Sequence, residues 1–157
     1  MRTAIVTGAN RGIGREIARQ LVLLDHRVIL TSRDEARGNQ TIAKLKREIR
    51  ANDHGEFVYH QLDVTNAGSI KRLHDFAMSE YVTVDILVNN AAVLLDQYGR
   101  LLQTSLDVYR DTLETNLYGP LMLCQTFIPM MLERNYGRVV NVSSGAGQVE
   151  DMINDMT

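Results

Sequence analysis

The densest chemical signal in the chain is Thr7-Gly8-Ala9-Asn10-Arg11-Gly12-Ile13-Gly14, with three glycines in eight residues. Glycine permits positive φ and lets the backbone approach a ligand closely. A helix beginning here presents free N–H groups and the positive end of its dipole, which together make a cradle for a pyrophosphate. The candidate contacts are Gly8, Asn10, Arg11, Gly12, Ile13 and Gly14. The spacing, G-x-x-x-G-x-G, differs from the G-x-G-x-x-G of the general dinucleotide fingerprint. Such a turn can also serve only to pack a strand tightly against a helix. Its position after the first predicted strand, opening the first predicted helix, is the context that a phosphate site requires. About 20 residues further on, where an acid would hold a ribose 2′-OH, the chain reads Leu30-Thr31-Ser32-Arg33. Arg33 and Arg11 could form bidentate, charge-assisted hydrogen bonds to a 2′-phosphate. Either one alone reads equally as a solvated surface charge. Asp34, directly after Arg33, is placed to cap a helix.

These groups must be carried by elements, and the apolar pattern alternates short strand-like runs with runs of helical period. Strands are predicted at Ala4-Ile5-Val6, Val28-Ile29-Leu30, Phe57-Val58-Tyr59, Ile86-Leu87-Val88 and Arg138 to Val142. The first helix should turn Ile13, Ile17, Leu21 and Leu24 inward. The second should bury Ile42, Leu45 and Ile49, with Lys44, Lys46, Arg47 and Arg50 outward, and the third should bury Ile70, Leu73, Phe76 and Ala77. A longer helical stretch runs from about Thr104 to Glu133. Within it Pro120 has no N–H and should kink the helix, leaving the Asn116 carbonyl without its partner. The alternation predicts an α/β fold with a doubly wound parallel sheet of Rossmann type. After the fifth strand only Ser143 to Thr157 follow, where such a fold would turn into another helix.

The 157 residues suit one domain, and 45 % hydrophobic and 23 % charged residues suit a globular one. Seventeen Lys plus Arg against nineteen Asp plus Glu leave a net charge of −2, so no broad basic face advertises nucleic-acid binding. No apolar run approaches the roughly 20 residues that span a bilayer, so no membrane partner is expected. Met1-Arg2-Thr3 runs straight into a strand, and the single cysteine, Cys124, reads as packing. Both point to the cytoplasm. His26, His54, His60 and His74 have no metal-ligand spacing, so no metal site is expected.

The glycine turn is followed in order by Asp63-Val64, Asn89-Asn90-Ala91-Ala92, Asn116 and Asn141-Val142-Ser143-Ser144. This series resembles the N-terminal part of a short-chain dehydrogenase/reductase of the carbonyl-reductase-like kind, over essentially the whole chain. One departure is that the usual N-N-A-G reads Asn89-Asn90-Ala91-Ala92. The resemblance implies hydride transfer between a nicotinamide cofactor and a carbonyl or alcohol. Basic residues at Arg11 and after Ser32 imply NADP(H). Asp63 would accept from the adenine amino group with the Val64 N–H nearby, although a turn or helix cap is the competing role. Asn89 would both tie the central strands and line the cofactor site beside Ala91. Ser144 would polarise the substrate oxygen and Asn116 would support a water-linked proton relay; a turn serine and a helix-interior polar group are the plain alternatives.

The family's Tyr-x-x-x-Lys pair is not found. Four places after Tyr59, Tyr81, Tyr98, Tyr109, Tyr118 and Tyr136 stand Asp63, Asp85, Leu102, Leu113, Met122 and Val140. Residues 1–157 are therefore expected to form an NADP(H)-binding Rossmann domain, incomplete at its C-terminus and truncated after the fifth strand. Such a chain would be inactive alone, and a nucleotide-binding module or gene fragment is the alternative to an enzyme. An open fifth strand and a long helix exposing Leu117, Leu121, Cys124 and Ile128 predict a homo-oligomer.

Overall fold

Short aliphatic runs flanked by polar turns become strands, and the central three are buried on both faces, which is the pattern of parallel sheets covered by helices on each side. The computed structural model describes residues 1–49, 55–95 and 103–144. In chain order the elements are β1 Thr3–Val6, α1 Gly12–Leu23, β2 Arg27–Ser32, α2 Glu35–Glu48, β3 Glu56–Gln61, α3 Ala67–Tyr81 and β4 Ile86–Asn89. They continue with α4 Leu106–Leu113, a π-helical turn Glu114–Tyr118, α5 Gly119–Glu133 and β5 Arg138–Asn141. Arg50, His54, Tyr98, Leu102 and everything after Ser144 lie outside the described residues.

The sheet is wholly parallel, in the order β3-β2-β1-β4-β5. From β1 the chain first winds outward through β2 and β3, then crosses to the other side of β1 for β4 and β5. The direction reverses between β1 and β4, and a crevice for ligand opens beyond the carboxyl ends of the strands at such a point. Period-2 alternation divides the core into two layers. Ala4, Val6, Val28 and Leu30 face α1 and α2 together with Ala18, Val22, Ile42 and Leu45. Ile5, Ile29 and Leu87 face α3 and α5 together with Leu73, Leu123 and Phe127. Asp34, Asn66 and Ser105 cap α2, α3 and α4 with side-chain oxygens.

The inner face of α1 differs from the predicted one. Ile17 and Leu21 do pack against the core, but Ile13 and Leu24 are 66 % and 67 % exposed. The buried positions are Gly14, Ala18 and Val22. Small residues there let the helix start lie close to the strands, and this rotates Ile13 toward the crevice. Leu24 falls at the helix C-cap, past the last turn that meets the sheet.

The long helical stretch is continuous but contains the π turn immediately before Pro120. The Gly119 N–H donates to the Glu114 carbonyl, five residues back. Counting five from Thr115 in the same register reaches Pro120, which has no N–H. The missing donor of Pro120 is thus met within a widened turn. β5 is an edge of the sheet, and its Val139 and Val140 are exposed, as are Leu117 and Leu121 on the helix beside it.

Candidate functional site

At the switch point, the end of β1 is joined to the residues after β4 by one buried hydroxyl. Thr7 Oγ1 accepts from the Asn90 and Ala91 N–H groups at 2.9 Å each, and lies 3.3 Å from the Val88 carbonyl to which it donates. Asn90 Nδ2 returns the link by donating to the Thr7 carbonyl at 2.8 Å and the Gly8 carbonyl at 3.3 Å. This seam brings backbone onto backbone. Gly8 has φ +62°, and a Cβ there would stand 2.9 Å from Ala91 Cα; a Cβ on Gly14 would stand 2.3 Å from Asn90 Nδ2. The glycines are required by this approach, and the helix N-terminus is left open beside it.

Two adjoining clefts meet over this seam. The first, of about 430 Å³, gathers Gly8, Asn10, Arg11, Gly12, Ile13 and Gly14 with Ser32, Arg33, Asp63, Val64 and Ala91. The second, of about 860 Å³, holds Asn89, Asn116 and Ser144, and shares Ile13 and Ala91 with the first. The expected site residues therefore assemble along one continuous crevice from the ends of all five strands.

The first cleft is lined by two arginines, Arg11 and Arg33, and neither guanidinium has a hydrogen bond or ion pair among the described residues. Asp34, next to Arg33 in sequence, is engaged elsewhere: it accepts from the Arg37 N–H at 3.0 Å and pairs with the Arg37 guanidinium at 3.2 Å. Ser32 is buried, and its hydroxyl donates to the Asp34 carbonyl at 2.8 Å. Asp63 plays the capping role that competed with adenine binding, since its Oδ1 accepts from the Thr65 N–H at 3.0 Å and the Thr65 hydroxyl at 2.8 Å. Its other oxygen has no partner among the described residues.

In the second cleft, Asn116 sits in the π turn with its side chain locked on one residue of the loop after β4. Its Oδ1 accepts from the Val93 N–H at 2.9 Å, and its Nδ2 donates to the Val93 carbonyl at 2.8 Å. Ser144 stands exposed just beyond β5. Asn89 is 5 % exposed; its Nδ2 donates to Asn141 Oδ1 at 2.8 Å, joining β4 to β5, while its buried Oδ1 has no partner. Both roles expected of Asn89, strand tie and cleft lining, are thus realised in one side chain. Sequence reasoning passed over Thr7 and Asn90 as site residues, because their pairing depends on β1 and β4 being neighbours across more than 80 residues of chain. Among the described residues no group of three His, Cys, Asp or Glu could hold a metal ion.

The model of the short chain dehydrogenase family matches residues 2–154. A (+)-neomenthol dehydrogenase of Arabidopsis thaliana is 38 % identical over 98 % of this chain and 57 % of its own length. A carbonyl reductase (NADPH) 3 of Rattus norvegicus is 40 % identical over 93 % of this chain and 50 % of its own. Among solved structures, a metagenomic short-chain oxidoreductase in complex with NADP superposes with a TM-score of 0.82 at 35 % identity, covering 94 % of this chain and 64 % of that one. The chain spans roughly half of the length of the curated relatives it matches, from 50 % to 57 % for the two named. Matched by that family model over residues 2–154 and superposing on a solved short-chain oxidoreductase, the chain belongs to the short chain dehydrogenase family.

Proposed function

We propose that these residues form the NADP(H)-binding portion of an oxidoreductase that reduces a carbonyl, or oxidises a secondary alcohol, by hydride transfer. The observation that carries this reading is the pair of unpartnered guanidiniums, Arg11 and Arg33, lining one cleft while Asp34 is held by Arg37. A relative named for NADPH and a structural neighbour solved with NADP support it. Bound in the crevice, the nicotinamide cofactor supplies or accepts the hydride.

The chain's own groups bind and orient around it. N–H groups at the start of α1 take the pyrophosphate. Arg11 and Arg33 neutralise the 2′-phosphate. Ser144, which lines the second cleft, would donate to the substrate oxygen where negative charge develops. Asn116 holds the Val93 segment of the cleft wall through its paired hydrogen bonds.

A second reading concerns these 157 residues tested by themselves, as a nucleotide-binding module that does not turn over, since none of their tyrosines has a lysine four residues on. By titration calorimetry NADPH should bind at least an order of magnitude more tightly than NADH, since charge-assisted hydrogen bonds contribute about 1.5–3 kcal/mol. Arg33→Asp should abolish the difference. Equal affinities for the unsubstituted chain would overturn the NADP(H) assignment. Steady-state carbonyl reduction by these residues alone, lost in Ser144→Ala, would reject the second reading.

A further inference from the structure

The guanidiniums of Arg11 and Arg33 have no partners at their tips, so where they can reach is set by the backbone from which they spring. Two hydroxyl groups hold that backbone, one on each side of the cleft, and both act through α2. On the glycine-turn side, Thr41 Oγ1 lies 2.9 Å from the Asn10 carbonyl and 2.9 Å from the Arg37 carbonyl. Thr41 is buried, and its bond to Asn10 spans 31 residues of sequence. A hydroxyl has one proton to give, so the Asn10 carbonyl competes for it with the ordinary helix-internal acceptor. The result is a tether from the second turn of α2 to the peptide just before Arg11.

On the β2 side, Tyr59 reaches from β3 and its hydroxyl donates to the Ser32 carbonyl at 3.2 Å. The Ser32 hydroxyl in turn donates to the Asp34 carbonyl at 2.8 Å, closing the turn around Arg33, and the Arg33 carbonyl itself accepts from Gln61 Nε2 at 3.3 Å. The Tyr59 ring can lie this way only because α2 has a glycine beneath it: a Cβ at Gly38 would stand 2.0 Å from Tyr59 Cε2. Burial raises the phenol pKa above its ordinary value, which keeps the hydroxyl a donor throughout the neutral range.

We propose that Thr41 and Tyr59 are positioning residues for cofactor choice, fixing the Asn10–Arg11 and Ser32–Arg33 backbones so that both guanidiniums converge on one 2′-phosphate. The inference rests on the NADP(H) reading above. Neither hydroxyl touches the cofactor; each acts by narrowing where an arginine is rooted, which is how a supporting residue sharpens a binding site. A purely structural role would weaken NADPH and NADH alike. A positioning role weakens NADPH selectively, because only NADPH has a 2′-phosphate to lose.

The test is the ratio of NADPH to NADH dissociation constants, by titration calorimetry, for the 157-residue chain and for Tyr59→Phe, Thr41→Val and Thr41→Ser. Tyr59→Phe and Thr41→Val should each reduce the preference for NADPH by about five-fold, the worth of one neutral hydrogen bond. Thr41→Ser, which keeps the hydroxyl, should retain the preference. If Thr41→Val fails to fold, Tyr59→Phe decides alone. A preference kept within about two-fold in Tyr59→Phe and Thr41→Val, or an equal loss of affinity for both nucleotides, overturns the inference and leaves the NADP(H) reading standing. No preference in the unsubstituted chain overturns both.

Discussion

Replacing Thr7 by valine removes one oxygen and almost no volume, so it isolates the hydrogen bonds of the seam from any cavity effect. Thr7 Oγ1 uses its full capacity, one donated bond to Val88 and two accepted bonds from Asn90 and Ala91. Valine leaves two backbone N–H groups facing a methyl. An orphaned buried donor costs about 1–3 kcal/mol, and since Asn90 and Ala91 are half-buried, water can offset part of the loss. The expected destabilisation is about 2–4 kcal/mol, a large share of the roughly 5–15 kcal/mol typical of a domain. For a chain of this size it should lower the midpoint of thermal unfolding by roughly 4–16 °C. Thr7→Ser keeps the oxygen and loses one buried methyl, worth about 1 kcal/mol. Denaturant unfolding of the three proteins should therefore rank the unsubstituted chain first, Thr7→Ser second and Thr7→Val last. A Thr7→Val protein as stable as Thr7→Ser would refute the assignment of that oxygen as the seam's acceptor.

A second expectation concerns His60, whose imidazole lies 4.9 Å from the Phe76 ring and has its pKa lowered by burial. The folded chain thus binds the proton less readily than the unfolded one, so this group's contribution is full above the ordinary value of about 6.5 and declines as pH falls below it. Denaturant midpoints measured down through that window should fall, and His60→Gln should flatten the fall; an identical slope in the variant would count against it. A third concerns the open strand. With Val139 and Val140 exposed on the β5 edge, sedimentation at about tens of micromolar should show association, and Val140→Lys should shift it toward monomer. A clean monomer before substitution would show that the edge is protected.

Much of this molecule was legible in its residues. All five strands lie where the apolar runs placed them, and for the central β1, β2 and β4 the reason is that a strand covered on both faces must be apolar through most of its short length. Asp34 caps α2 and Ile42, Leu45 and Ile49 turn inward, since capping and helical period are local rules. The glycine turn was legible as a strand-to-helix junction, with Gly8 before α1 and Gly12 and Gly14 in its first turn. Local rules failed where packing decides. Ile13 has the right spacing for the inner face of α1, yet the close approach of Gly14 to Asn90 turns the helix so that Ile13 faces the crevice. Pro120 marked a disturbance in the long helix, but that it takes the form of a π turn over Glu114–Tyr118 was not legible.

The sequence by itself therefore determined the family, the order of elements and the chemistry available to a nucleotide, because these depend on residue types and on spacings within one element or one turn. The tertiary structure alone decided which of those residues meet. Thr7 finds Asn90 and Ala91, Thr41 finds Asn10 and Tyr59 finds Ser32 only once parallel strands and their crossover helices are laid side by side. Each such bond joins positions tens of residues apart, and no period or motif in a linear sequence records the register that brings them within 3.2 Å.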